Sequence, residues 1–442
     1  MEKRKPNILY ILADDLGWGD VGYHGSEIRT PNLDRLAQSG VELDQHYVCP
    51  MCTPTRASLM TGRHPGRFGR HATVPSNQAV LPDGYETMAT TLRNAGYTTG
   101  LFGKWHLGSD PKYCPSQFGF DYSYGSLAGG VDPYSHRYKE GEWSYTWHRN
   151  GELVDVRGHV TDLIVNEAIE WIEQQTQPWF CYVPFTAVHT PIKAPEEWID
   201  SYCDQRYDPD PARDRSYKIY AAYLSHMDWA IGQMIESLHR TLSLDDTIVV
   251  FASDNGAIPD APLHDTDKYP GRQEYMPRLG SNFPLRGQKA TMYEGGVRTP
   301  AVINWPGTLS PNKVTAPIQV VDWMPTFTSL VGAETQSDPM WDGKDVWSLI
   351  TGEATKMDRT FFWNFRGGSN IGARIGDLKL FTDGDMRPEK TEMFDLAVDP
   401  YERRNLFERD PDRGKDLLDL IREEREKDDT SVRPDAVSKL GP

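Results

Sequence analysis

Four short apolar runs, each ending in an abrupt cluster of polar residues, constrain this chain more than any other feature. NILYILA (Asn7–Ala13) ends in Asp14-Asp15, and TTGLF (Thr98–Phe102) leads into Gly103-Lys104-Trp105-His106. WFCYV (Trp179–Val183) continues through PFTAV to His189, and TIVVFAS (Thr247–Ser253) ends in Asp254-Asn255-Gly256. Segments of helical periodicity lie between them: PNLDRLAQSG, YETMATTLRNAG, TDLIVNEAIEWIEQQ and SYKIYAAYLSHMDWAIGQMIESLHRTL. This alternation predicts a layered α/β domain whose large central sheet is mostly parallel and flanked by helices. In open α/β sheets the ligand site lies just beyond the carboxyl ends of the strands. Four runs ending in acids, an amide, lysine and histidine would therefore pool those groups at one edge.

The pattern changes near residue 340. PAVINWPG and APIQVVDWMPTFTSLVGA close the first part as a strand and a helix; FFWNF, ARIGDLKLFTD and EMFDL then read as short strands, and GKDLLDLIREEREKDD as a charged helix. We expect a main domain over residues 1–340 and, over 341–442, a small C-terminal α+β subdomain with an antiparallel sheet and one helix. His226 and Asp228 fall inside the longest helical pattern and read as polar positions on a packed helix.

A formal net charge of −17 disfavours nucleic acid and other polyanions as partners. An anionic substrate would need a local cationic pocket. No stretch is long and apolar enough to cross a membrane. The opening MEKRKPNILYIL lacks a small-residue cleavage site and reads as a first strand, which fits a cytoplasmic chain, or a periplasmic or secreted one whose leader has been removed. Five cysteines are too few for a disulfide scaffold. Cys49 and Cys52 form a CxxC spacing, but no second pair accompanies it to suggest zinc.

Asp14, Asp15, Asp254 and Asn255 offer only oxygen ligands, which suit a hard divalent cation. Such a cation would let an anionic substrate approach three carboxylates and would polarise it. Ligand type alone does not separate calcium from magnesium. Lys104 and Lys289 suit anion binding, and His106 and His189 titrate near neutrality as proton donors or acceptors.

The segment CTPTRASLMTGR, from Cys52 to Arg63, resembles the C-x-P-x-R signature of type I sulfatases, including its downstream T-G-R. NILYILADDLGWGDVGYHG, GKWHLG, FASDNG and the K-A-T-M-Y-E-G-G-V-R run resemble further blocks of that family. The resemblance implies an alkaline-phosphatase-like fold, with Cys52 oxidised to formylglycine by a maturation enzyme. It also implies one Ca2+ held by Asp14, Asp15, Asp254, Asn255 and residue 52. In that scheme the hydrated aldehyde attacks sulfur and later collapses to release sulfate. Arg56 would brace the nucleophile loop and contact the anion, and Lys104 and Lys289 would bind sulfate oxygens. His189 would protonate the leaving group and His106 would assist the collapse, though the two roles are interchangeable at this level.

Within the family, GFDYSYGSLAGGVDPYSH and PEEWID are similar to the arylsulfatase B (N-acetylgalactosamine-4-sulfatase) branch, which makes His136 a candidate substrate contact. The expected substrate is a sulfated sugar or oligosaccharide, cut by exo-acting removal of sulfate, 4-sulfate favoured, from galactose or N-acetylgalactosamine. A phosphonate or phosphate ester hydrolase of the same superfamily and an inactive sulfated-glycan-binding relative are the alternatives.

Overall fold

The computed structural model describes residues 5–138, 144–261, 275–335 and 339–429. A ten-stranded sheet forms the centre of the main body. Its middle is parallel: Asn7–Ala13 lies between Trp179–Pro184 and Thr247–Ser253, and Thr98–Lys104 lies between Trp179–Pro184 and Tyr122–Ser126. Towards the margins Ala301–Asn304 runs antiparallel to Thr247–Ser253, and Trp147–Arg149 antiparallel to Tyr122–Ser126. The sheet is therefore mixed as a whole and parallel where the four diagnostic runs lie. All four run in one direction, so their polar ends emerge together.

Both faces of this sheet are covered, which is why its central strands are apolar without a break. Along Asn7–Ala13 the side chains alternate between two cores. Leu9, Ile11 and Ala13 pack with the helices Val160–Glu173 and Pro211–Arg240. Ile8, Tyr10 and Leu12 pack with Cys52–Thr61, Met88–Asn94 and Trp323–Leu330 on the other side. Burying each large apolar side chain stabilises the fold by roughly 1.5–3 kcal/mol. Among the described residues no helix is long and apolar enough to cross a membrane.

Two polar residues of the Pro211–Arg240 helix are buried for structural reasons. His226 Nε2 sits 2.7 Å from Asp162 Oδ1. Asp228 accepts the backbone N–H groups of Asn32 and Leu33 at 3.1 and 2.8 Å, and the Asn32 amide at 2.9 Å. These are first-turn amides of the helix Pro31–Ser39, whose own N-cap, Thr30, provides no side-chain bond. Asp228 thus caps one helix from another. We expect Asp228→Ala to lower stability by about 2–3 kcal/mol in urea unfolding, because it orphans buried donors bonded to a charged acceptor. A loss below about 0.5 kcal/mol would refute the cap.

Beyond the main sheet, Thr360–Phe365, Asn370–Ile375, Leu378–Asp383 and Glu392–Asp395 form a four-stranded antiparallel sheet. Leu417 and Ile421 of the helix Lys415–Glu426 pack against it. Val346, Leu349 and Ile350 pack in the second core of the main body, so the antiparallel unit takes its own course only from Thr360. Two buried contacts fasten it down. Trp363 donates its indole N–H to the Val48 carbonyl, and Lys379 donates to Glu294 and Glu402 at 2.8 and 2.9 Å. Glu294 lies five residues beyond Lys289, so this charge cluster holds the stretch that carries Lys289.

Candidate active site

The carboxyl ends of the parallel strands bring Asp14, Asp15, Lys104, Asp254 and Asn255 together below the N-terminus of the Cys52–Thr61 helix. Asp15 has a left-handed backbone, φ 64°, which turns its side chain back toward Asn255. Asn255 Nδ2 donates to Asp15 Oδ1 at 2.7 Å, and the Asp15 N–H donates to Asp254 Oδ1 at 3.2 Å. Asp14, Asp254 and Asn255 are fully buried, and Asp15 nearly so.

Three cations face these three carboxylates. Lys104 Nζ donates to Asp14 Oδ2 at 2.6 Å, and Lys289 Nζ donates to both Asp15 oxygens at 2.6 and 2.8 Å. Arg56 donates to Asp254 Oδ2 through Nε and Nη2, at 3.1 and 2.8 Å, and through Nη1 to the Lys104 carbonyl at 2.7 Å. Burial lifts the Asp14 carboxyl to about 7; Lys104 and Arg56 pull it down, while Asp254 and Asp15 push it up. Burial also works against Asp15, but Lys289, His189 and Lys104 outweigh it and hold that carboxyl below its ordinary range. The donor set suits a hard cation. Asp14 Oδ1 and Asn255 Oδ1 are buried acceptors that receive no hydrogen bond from the protein, a costly state that a cation between them would relieve.

Cys52 opens its helix and is almost entirely buried. Burial raises its thiol pKa, against the pull of Lys104 and Lys289. It lines a cleft of about 270 Å³ together with His106, His189, Lys289 and Tyr138. His106 also has a left-handed backbone, φ 58°, and both its ring nitrogens lie within 3.3 Å of Thr53 Oγ1. Its ring occupies the space where a side chain at Gly129 would begin, since a Cβ there would sit 2.1 Å from Nε2. Burial, then Lys104 and Arg56, depress the His106 pKa well below the ordinary imidazole range. His189 Nδ1 lies 2.6 Å from the Thr190 carbonyl, which places the proton on Nδ1, and Nε2 faces Asp15 Oδ2 at 3.8 Å. Burial, Lys289 and Lys104 lower its pKa more than Asp15 raises it.

Three residues expected from sequence to contact the substrate, Lys104, Arg56 and His136, do not line the cleft. Lys104 is wholly buried with its ammonium on Asp14. Arg56 is wholly buried behind the carboxylates and braces Asp254 and Lys104; the cleft is not lined by it. His136 is buried with Nε2 bonded to the Gly158 carbonyl at 3.0 Å and its ring stacked on Trp147 at 5.0 Å. The structure does not bring it to the cleft. Conversely Ser76 and Asn77 line the cleft from an irregular loop that carries no periodic signal. Asn77 Oδ1 accepts from the Gly129 N–H at 2.9 Å and so sets the wall beside His106. The five cysteines are all free.

Arylsulfatase J of Mus musculus is 37% identical over 361 residues, covering 78% of this chain and 56% of that protein. N-acetylgalactosamine-6-sulfatase of Homo sapiens is 32% identical over 398 residues, covering 85% of this chain and 71% of that protein. The crystal structure of Ps i-CgsB in complex with k-i-k-neocarrahexaose superposes with a TM-score of 0.84 at 28% identity, over 97% of this chain and 94% of that one. Residues 287–427 match the family described as N-sulphoglucosamine sulphohydrolase, C-terminal. With residues 6–333 matching the sulfatase family across the whole of the site just described, the chain belongs to the sulfatases, a family of sulfuric ester hydrolases.

Proposed function

We propose that this chain removes an O-sulfate, the 4-sulfate in preference, from a terminal galactose or N-acetylgalactosamine of a sulfated glycan. The observation that carries the reading is the meeting of Cys52, Lys289, His106 and His189 in one small cleft beside the carboxylate cluster. A cleft of about 270 Å³ suits one sulfated sugar better than the middle of a chain, which favours exo action. A galacto-configured sugar is supported by the relatives named N-acetylgalactosamine-6-sulfatase. That name favours the 6-position as the second reading, whereas the GFDYSYGSLAGGVDPYSH segment favours the 4-position.

In this reading Asp14, Asp15, Asp254 and Asn255 hold a calcium ion. Bound there it would polarise the S–O bond, and Cys52 converted to formylglycine would supply the nucleophilic oxygen. Lys289 reaches the cleft and Lys104 stands behind it, both offering positive charge to sulfate oxygens. His189 keeps a bare Nε2 until an anion in the cleft offsets the two ammoniums; protonated, it becomes the acid for the leaving oxygen. Thr53 orients His106 for the second proton transfer.

Sulfate release from 4-sulfated and 6-sulfated N-acetylgalactosamine, 4-sulfated galactose oligosaccharides, an aryl sulfate and a phosphate ester tests this. With conversion of Cys52 verified by mass, we expect the 4-sulfated galacto sugars to react at least about tenfold faster in kcat/KM than the others. Preference for the 6-sulfate moves the position. Hydrolysis of the aryl sulfate alone removes the glycan, and preference for the phosphate ester removes the reaction class.

A further inference from the structure

The groups that line the catalytic cleft are of two kinds. Cys52, Lys289, His106 and His189 form a reactive, partly charged set. Ser76, Asn77 and Tyr138 are polar but uncharged. The first set suits a sulfate group. A hydroxyl, an amide and an aromatic ring instead match a sugar, whose surface is hydroxyl groups around C–H faces.

Asn77 is held in one orientation by three hydrogen bonds. Its backbone carbonyl accepts the Ser109 N–H at 2.9 Å, and Oδ1 accepts the Ser109 hydroxyl at 3.1 Å and the Gly129 N–H at 2.9 Å. A backbone N–H can only donate, so the atom turned to Gly129 is the oxygen and the NH2 group faces elsewhere. Nδ2 makes no hydrogen bond among the described residues, and it is not one of the buried unpartnered atoms, so it keeps open surface. Two N–H donors are thus held ready on a residue of the cleft wall. Lys289 and His189, by contrast, spend donors on Asp15 and on the Thr190 carbonyl. The neighbours keep this wall in place. The Ser76 N–H donates to Thr53 Oγ1 at 3.1 Å, which ties the loop to the helix that Cys52 opens. Tyr138 fits beside it because Gly130 has no side chain; a Cβ there would sit 2.6 Å from the Tyr138 ring.

We infer that Asn77 is a specificity-determining residue that donates its side-chain amide to a hydroxyl oxygen of the sulfated sugar unit. The inference rests on the proposed glycan reading and deepens it by assigning a contact to the sugar as distinct from the sulfate. Charge favours the hydroxyl: sulfate oxygens are matched by Lys289 and the carboxylate-bound cation, whereas Asn77 sits among uncharged neighbours. A fixed donor left without its acceptor is penalised, which is how a site rejects an analogue that lacks one hydroxyl.

The test is a cycle of two enzymes and two substrates. The parent and Asn77→Ala, both converted at Cys52, are compared on the sulfated monosaccharide the parent prefers and on its monodeoxy analogues. For the parent we expect kcat/KM to fall about tenfold or more, mainly through KM, when one particular hydroxyl is removed. Asn77→Ala should differ by less than about twofold between the same two substrates. Titration calorimetry of that pair into Cys52→Ala, with and without Asn77→Ala, should repeat the pattern in Kd. If Asn77 only sets the wall through Gly129, its loss slows both substrates together and keeps the parent's ratio. That result, or a parent indifferent to every monodeoxy analogue, overturns the assignment and leaves the glycan reading standing. A parent enzyme that hydrolyses the aryl sulfate but no sugar overturns the glycan reading, and the assignment with it.

Discussion

Replacing Cys52 with alanine is expected to lower turnover by roughly 10⁴-fold or more while leaving substrate Kd within a few-fold of the parent. The binding groups explain the second half of that result. Lys289, His106 and His189 line the cleft independently of the Cys52 side chain, and the carboxylates are held by Arg56, Lys104 and Lys289. The first half follows from the state of the thiol. Burial raises its pKa despite two nearby ammoniums, so at neutral pH the unmodified side chain is a protonated and weak nucleophile. In the proposed mechanism it is the modified residue 52 that provides the activated oxygen there. Removing one buried sulfur from a helix N-terminus costs about 1–2 kcal/mol, so the variant should fold and its Tm serves as the control. Cys52→Ser should bind equally well and also fail, since its single hydroxyl offers no hemiacetal to collapse. Parent protein whose Cys52 peptide shows no loss of sulfur should behave like the alanine variant. Full turnover by Cys52→Ala would exclude residue 52 as the nucleophile.

How much of this was legible in the chain depends on whether a residue acts through type and position or through direction. The parallel strands and their polar ends were legible, because burial on both faces demands unbroken apolar runs and the chemistry begins where they stop. Asp14, Asp15, Asp254 and Asn255 converge for that reason. The direction of a side chain was not legible. Arg56 lies one turn into the helix from Cys52, and only the fold shows that it turns inward to Asp254 and away from the cleft. His136 sits in a segment similar to the arylsulfatase B branch, yet its ring is held by Gly158 and Trp147. Ser76 and Asn77 come from a segment without periodicity, and Gly129 matters only because His106 fills the space beside it. The join between the two sheets was hidden as well, because Val346, Leu349 and Ile350 follow the change in composition but still pack in the main core.

Calcium should raise the Tm of the folded protein by several degrees and EDTA should reverse the shift. Near one end of the central sheet, three buried carboxylates are balanced by Arg56, Lys104 and Lys289, so a sulfate ester entering this cluster adds an uncompensated negative charge. A bound divalent cation makes the same cluster net positive with the ester in place. It would also satisfy Asp14 Oδ1 and Asn255 Oδ1, the two buried oxygens for which the protein provides no donor. A ligand that binds only the folded chain stabilises it by about 4 kcal/mol when present at 1,000 times its Kd. For a chain of this length each kcal/mol corresponds to about 1 °C. Asp14→Asn keeps the shape of the side chain, removes one anionic ligand and leaves Lys104 without its partner at 2.6 Å. That variant should lose most of the calcium-dependent shift, and its turnover should fall by about 10³-fold. Magnesium should give a smaller shift if the site prefers the larger ion. A Tm and a turnover rate that both ignore calcium and EDTA, in protein shown by elemental analysis to be free of metal, would mean that Lys104, Lys289 and Arg56 balance the carboxylates alone. The negative charge of the ester would then have to be met by the protein's own cations.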